Sequence, residues 1–240
     1  MSDDHQFEGM AALVTGGSRG IGAETALALA SRGAFTFIHY NISEDEASAV
    51  LEKIRKAGGD GALLRANLSQ SDGIRCLVEA IQRAGRPIDI LVNNAGSLIQ
   101  RTRFLEYTEE LWERVFKLNL TSAFLVTQAA LRGMVDRKRG LIVNVSSVAA
   151  RFGGGLGSIA YSSAKAALAT MTKGLAREFG PYGIRINAVS PGTIDTDYHR
   201  QFSTPQALEA IADATPLGRL GTSAEVAGVV VFLCSEQAQF

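Results

Sequence analysis

Tyr161 and Lys165 stand four residues apart, the spacing that stacks two side chains on one face of a helix. A phenol with a pKa near 10 exchanges protons poorly at neutral pH. A cation about 4 Å away, at an effective dielectric of about 20, stabilises the phenolate by at most ~4 kcal/mol, or roughly three pKa units. The pair is thus a candidate acid–base group. Ser147 closes a strand-like run from Leu141 to Val145, at the carboxyl edge where open α/β sheets bind ligands, and can donate a hydrogen bond to a developing oxyanion. Ser146 is the weaker candidate for that role. A serine nucleophile is disfavoured, because no GxSxG elbow is present and the only later histidine is His199.

A second constellation precedes these. Gly16, Gly20 and Gly22 lie in the segment from Thr15 to Gly22, after one apolar run and before a helical pattern. Glycines there permit a tight turn and let backbone approach a pyrophosphate, while the helix N-terminus presents free N–H groups, so Gly16, Ser18, Gly20, Ile21 and Gly22 read as a dinucleotide loop. No acidic residue lies between Ala34 and Ser43 to hold a ribose 2′-hydroxyl, Asn41 stands where one is expected, and Arg19 is inside the loop where a guanidinium reaches a 2′-phosphate. This pattern predicts NADP(H) over NAD(H).

The elements that must carry these residues alternate. Apolar strand-like runs at 10–15, 34–40, 62–66, 88–92, 141–145 and 184–189 are separated by helical stretches at 21–31, 44–57, 72–84, 108–135 and 161–179, and a last helix covers 223–235. Continuously apolar strands alternating with helices predict a parallel sheet covered on both faces, in a single domain over residues 1–240. The helices at 110–135 and 161–179 are apolar nearly all round, which predicts burial against a second copy in a homo-oligomer, a dimer or tetramer. Residues 193–215 read as a mobile lid, with Ile194, Tyr198, Phe202 and Leu208 among polar neighbours.

Composition excludes other classes. The 24 basic and 24 acidic residues cancel, leaving no field for nucleic acid or anionic lipid. The longest apolar run, Val229 to Cys234, is far short of the roughly 20 residues a bilayer span needs. Cys76 and Cys234 are far apart and the three histidines show no ligand spacing, so no catalytic metal is expected. The acidic N-terminus is unlike a signal peptide, and the expected location is the cytoplasm.

Taken in order, these segments resemble the short-chain dehydrogenase/reductase family over nearly the whole chain, and most closely its branch of 3-oxoacyl-(acyl-carrier-protein) reductases and polyol dehydrogenases. The resemblance rests on the loop at 15–22, Asn93-Asn94-Ala95-Gly96, Asn119, the group Ser147, Tyr161 and Lys165, and the segment with Pro191, Gly192, Ile194 and Thr196. It implies a doubly wound Rossmann-type sheet of order 3-2-1-4-5-6 and hydride transfer between NAD(P) and a carbonyl or secondary alcohol. By the same similarity Tyr161 is the acid or base, and Lys165 lowers its pKa and holds the nicotinamide ribose. Ser147 orients the carbonyl, Asn119 holds a water linking Lys165 to solvent, and residues 191–196 meet the nicotinamide. Asn94, Ala95 and Gly96 line the cofactor. Three departures stand out: Asn67 and Leu68 occupy the adenine position usually marked by an acidic residue, the stretch between Ser147 and Tyr161 is Gly-rich, and no segment resembles the family's seventh strand. The rival reading is a catalytically idle dinucleotide sensor, against which the intact Ser147, Tyr161 and Lys165 set argues.

Overall fold

A computed structural model describes residues 5–239. Six parallel strands, β1 (Ala11–Val14), β2 (Phe35–Tyr40), β3 (Gly61–Arg65), β4 (Ile90–Asn93), β5 (Gly140–Val145) and β6 (Ile184–Val189), form one sheet in the order β3-β2-β1-β4-β5-β6. The reversal of direction between β1 and β4 opens a crevice at the carboxyl edge, where such sheets take ligands. Among the described residues there is no seventh strand.

Period-2 geometry explains the uninterrupted apolar runs. Ala12 and Val14 of β1 point into one core and Ala11 and Leu13 into another, all at 0–1% exposure. The first core is closed by α1 (Gly20–Ala30), α2 (Glu44–Lys56) and α10 (Ser223–Cys234), and the second includes residues of α3 (Ser71–Arg83) and α5 (Ser122–Arg137). The N-terminus of α10 is fixed by a capping box between Thr222 and Glu225.

The helix anticipated from Thr108 onward is interrupted. Thr108 does cap it, accepting from the Leu111 N–H, but α4 (Glu109–Phe116) passes into one π turn, Lys117–Thr121, before α5 resumes. Inside this turn the Asn119 side-chain amide donates to the Val115 carbonyl at 2.8 Å. The stretch after β5 holds a short helix α6 (Ala149–Phe152) and then the Gly-rich turn, and α7 starts at Ile159, earlier than anticipated, and ends at Phe179. In the stretch anticipated as a lid, Ile194 is bridged to Gly221, and α8 (Asp197–Phe202) and α9 (Pro205–Ala214) follow. No helix among the described residues is long and apolar enough to cross a membrane.

Candidate active site

The crevice is a cleft of about 920 Å³ running from the glycine loop, past the ends of β4 and β5, to the lid. The catalytic and cofactor-binding candidates named from the sequence line it, except Gly22, Asn93 and Asn119.

The glycine loop is held by specific contacts. Gly16 and Gly20 have φ of +65° and +56°, a region that favours glycine. A Cβ on Gly22 would stand 2.1 Å from the Gly16 carbonyl oxygen, so its role is to let helix meet loop. The Asn94 amide donates to the carbonyls of Thr15 and Gly16 at 2.9 and 3.0 Å, while the Thr15 hydroxyl accepts from the N–H groups of Asn94 and Ala95. Below the loop is a residue that spacing did not single out. The Gly16 N–H donates to His39 Nδ1 at 3.0 Å, which makes Nε2 the protonated nitrogen, donating to the Ala66 carbonyl at 3.1 Å. Burial holds this imidazole neutral, with its pKa lowered to about 4. One ring thereby joins the loop to the ends of β2 and β3, where Asn41, Asn67 and Leu68 face the cleft. Asn67 Oδ1 is spent on Ser69, leaving its amide N–H groups as the available donors. Leu68 is 2% exposed, so it offers the cleft backbone rather than side chain. Arg19 is exposed, and while its carbonyl accepts the Ala23 N–H at 3.3 Å, its guanidinium has no ion-pair or hydrogen-bond partner among the described residues.

Behind the far wall, a buried amide relay fixes the strand ends. Asn93 Nδ2 donates to Thr127 and to Asn144 Oδ1, and Asn144 Nδ2 donates to Thr172 at 2.8 Å, joining β4, α5, β5 and α7. Asn119, 1% exposed, grips the loop after β4 by both ends of its amide, accepting from the Ser97 N–H at 3.1 Å and donating to the Ser97 carbonyl at 2.8 Å. Gly96 lies against this amide: a Cβ there would meet Asn119 Oδ1 at 2.7 Å and Lys165 Nζ at 2.9 Å.

At the centre of the cleft, Tyr161 is flanked by Ser147 and by Tyr198, whose ring centroid lies 5.9 Å from its own, and the hydroxyls of both favour its phenolate. Ser147 Oγ accepts the Ala149 N–H at 3.1 Å, which leaves its hydrogen free to be donated into the cleft. Ser146 is otherwise engaged: its hydroxyl, 3% exposed, donates to the Lys165 carbonyl at 2.9 Å and braces α7. Lys165 is 2% exposed and donates to the Val145 carbonyl at 2.7 Å, and burial lowers its pKa to about 8. Its Nζ is 5.7 Å from the Tyr161 ring centroid. The spacing argument made Lys165 the group that draws the Tyr161 pKa down. In the ligand-free chain, burial dominates and pushes the phenol up, opposed by the Ser147 and Tyr198 hydroxyls. Tyr161 is therefore held as an acid, the form that carbonyl reduction requires.

These residues fit a bound dinucleotide. The loop offers left-handed glycines and helix N–H groups to a pyrophosphate, and the Lys165 ammonium, lining the cleft against Gly96, is a donor for ribose hydroxyls. Among the described residues no three His, Cys, Asp or Glu side chains are grouped to hold a metal ion.

Comparison with known proteins agrees with this geometry. The family model described as enoyl-(acyl carrier protein) reductase matches residues 16–240. The 3-oxoacyl-(acyl-carrier-protein) reductase of Aquifex aeolicus is 43% identical over 236 residues, covering 98% of this chain and 94% of its own. Among solved structures, a 3-oxoacyl-(acyl-carrier protein) reductase from Brucella melitensis with bound NAD superimposes with a TM-score of 0.89 at 33% identity, covering 99% of this chain and 89% of its own. A gluconate 5-dehydrogenase from Burkholderia cenocepacia, in complex with NADP and tartrate, gives 0.88 at 30% identity, with coverages of 99% and 92%. The chain is an NAD(P)-dependent oxidoreductase that belongs to the short-chain dehydrogenase/reductase family.

Proposed function

We propose that this enzyme reduces a ketone, with a 3-oxoacyl group as the favoured class, to a secondary alcohol using NADPH. The observation that carries the reading is the convergence of Tyr161, Ser147 and Lys165 in a cleft whose other end is the glycine loop. When bound, the nicotinamide supplies the hydride. The Ser147 hydroxyl steadies the carbonyl oxygen, and Tyr161 gives that oxygen its proton as charge develops. Lys165, largely protonated at neutral pH, holds ribose hydroxyls and offsets the phenolate left behind. Asn119 anchors the Ser97 loop and the π turn, and so keeps the wall behind Lys165 in place. The idle-sensor alternative has no supporting observation. A 3-oxoacyl thioester assayed with NADPH tests the proposal: turnover supports it, and absence of turnover with bound cofactor contradicts it.

NADPH preference rests on Arg19 and on the lack of a carboxylate at the end of β2. Arg19→Ala is expected to raise KM for NADPH by roughly ten- to a hundred-fold, the worth of a charge-assisted hydrogen bond to phosphate. KM for NADH should hardly move. An equal effect on both cofactors, read by initial rates, removes Arg19 from 2′-phosphate recognition.

The assembly proposed is a homotetramer formed through α4–α5 and α7. Phe124 of α5 is 46% exposed, and Ala166, Ala167 and Met171 of α7 are only half covered in the single chain. Such apolar surface is the kind that a second copy covers. Sedimentation is expected to show dimers or tetramers, and a monomer at micromolar concentration contradicts it. The two free cysteines suit a reducing compartment, and the cytoplasm is the proposed location.

A further inference from the structure

Tyr198 has no part in the reaction as described so far, yet its ring stands against that of Tyr161, with centroids 5.9 Å apart and planes tilted by 35°, and its hydroxyl favours the Tyr161 phenolate against the effect of burial. It belongs to the lid helix α8 rather than to the sheet and long helices that hold the other groups. The ring is wedged between His199, edge-on at 5.1 Å, and Phe202, also at 5.1 Å. Arg101 ties this helix down. Its guanidinium donates to the Phe202 carbonyl at 3.0 and 3.2 Å and, through its other nitrogen, to the Leu156 carbonyl of the Gly-rich turn. A single side chain from the loop after β4 thus links the lid to the opposite wall of the cleft.

The direction of the hydrogen bonds follows from what each oxygen has left. Tyr161 must keep its own hydrogen for the substrate oxygen, so a hydroxyl neighbour can serve it only as a donor. Ser147 has one hydrogen, which goes to the carbonyl oxygen once substrate is bound. Tyr198 is the neighbour whose hydrogen is left for the phenol, and the Tyr161 oxygen has a lone pair to accept it.

We propose that Tyr198 is a positioning residue of the reaction, delivered by the lid, whose hydroxyl donates to Tyr161 Oη and stabilises the phenolate that remains after Tyr161 has passed its proton to the carbonyl oxygen. The proposal rests on Tyr161 being the acid. It makes lid closure a chemical step as well as a steric one, since an open α8 removes that donor. The Tyr198 hydroxyl opposes the effect of burial on Tyr161. The other titratable and charged groups on the elements facing Tyr161 are Lys165 on its own helix, His199 on the lid with Asp195 near it, and Arg101. None is altered when Tyr198 loses only its hydroxyl.

The test is the pH profile of kcat/KM for oxidation of ethyl 3-hydroxybutyrate by NADP⁺, for wild type, Tyr198→Phe and Tyr161→Phe. Oxidation needs the Tyr161 phenolate, so activity rises with pH through the Tyr161 pKa. In Tyr198→Phe that limb should move about one pH unit higher, the worth of one hydrogen bond to a charged oxygen, and the rates should converge with wild type at the alkaline end. An unmoved limb, with only KM changed, gives Tyr198 a packing role and overturns the proposal. If turnover in Tyr198→Phe is too slow to profile, the ultraviolet phenolate titration lost on adding Tyr161→Phe reads the same pKa. The same upward move is expected there, and its absence overturns the proposal. Full activity in Tyr161→Phe overturns the acid assignment itself, and this inference with it. An inactive Tyr161→Phe combined with an unmoved limb in Tyr198→Phe overturns only the role of Tyr198.

Discussion

Tyr161→Phe is expected to lower kcat for ketone reduction by roughly a hundred- to ten-thousand-fold while leaving the dissociation constant for NADPH within a few-fold of wild type. The reasoning is local. The phenol hydroxyl is the acidic group placed beside Ser147, and replacing it by hydrogen leaves α7, the glycine loop and the Asn93–Asn144 relay untouched. Binding and chemistry should therefore separate, with the loss appearing in kcat and not in cofactor affinity. The pH dependence follows from the same group. Burial raises the Tyr161 pKa, so the acid form persists through neutrality and reduction is expected to hold its rate there. Alcohol oxidation needs the phenolate and should climb toward alkaline pH. A wild-type oxidation rate that falls between pH 7 and 9 contradicts this assignment.

Lys165→Met is the second large effect, and its two readouts diverge. Turnover should fall by roughly a hundred-fold or more, since the ribose contact and the charge beside the phenolate vanish together. Stability should not fall in proportion. Burial lowers the folded-state Lys165 pKa from the ordinary 10.5 to about 8. Between those two pH values the unfolded chain binds more protons than the folded one, so this group makes stability rise with pH across that window. Below it, the charged side chain carries the whole cost, an upper bound of about 3 kcal/mol. Replacing it by Met removes that cost but orphans the Val145 carbonyl, a loss of about 1–3 kcal/mol. The two effects nearly cancel at neutral pH, so the ligand-free Tm of the variant should lie within a few degrees of wild type. From pH 7.5 to 9.5 wild type should gain on the variant. A variant much less stable at pH 7, with a gap that does not change with pH, would show that Lys165 is a structural anchor and not a strained functional charge.

Much of this site was legible in the chain because it depends on local rules. Strand–glycine–helix succession marked the loop, i and i+4 spacing put Tyr161 and Lys165 on one helix, and the apolar strands marked a sheet covered on both faces. What stayed hidden depends on contacts between segments far apart in sequence. Nothing in a lone histidine at the end of β2 reveals that His39 bridges Gly16 and Ala66, 27 residues further on. The π turn at Lys117–Thr121 left no mark on the apolar pattern, because it is set by an amide that binds Val115 and Ser97 together. Charge proximity alone also misjudged Tyr161. Spacing gives the distance to Lys165, but the degree of burial, which decides the direction of the pKa shift, is a property of the whole fold. Tyr198 was visible only as an apolar member of a lid; its place beside Tyr161 depends on α8, whose Phe202 carbonyl is held by Arg101, 97 residues before Tyr198.

The central claim is that one cleft carries out hydride transfer between NADPH and a ketone. The most direct measurement is the loss of NADPH absorbance when the purified chain meets a panel of ketones, with an acetoacetyl thioester, a simple β-keto ester and a keto sugar acid among them. The account predicts turnover of at least one member, fastest for the 3-oxoacyl compounds, slower with NADH, and lost in Tyr161→Phe. Tight NADPH binding with no turnover of any member, or equal turnover by Tyr161→Phe, would contradict it.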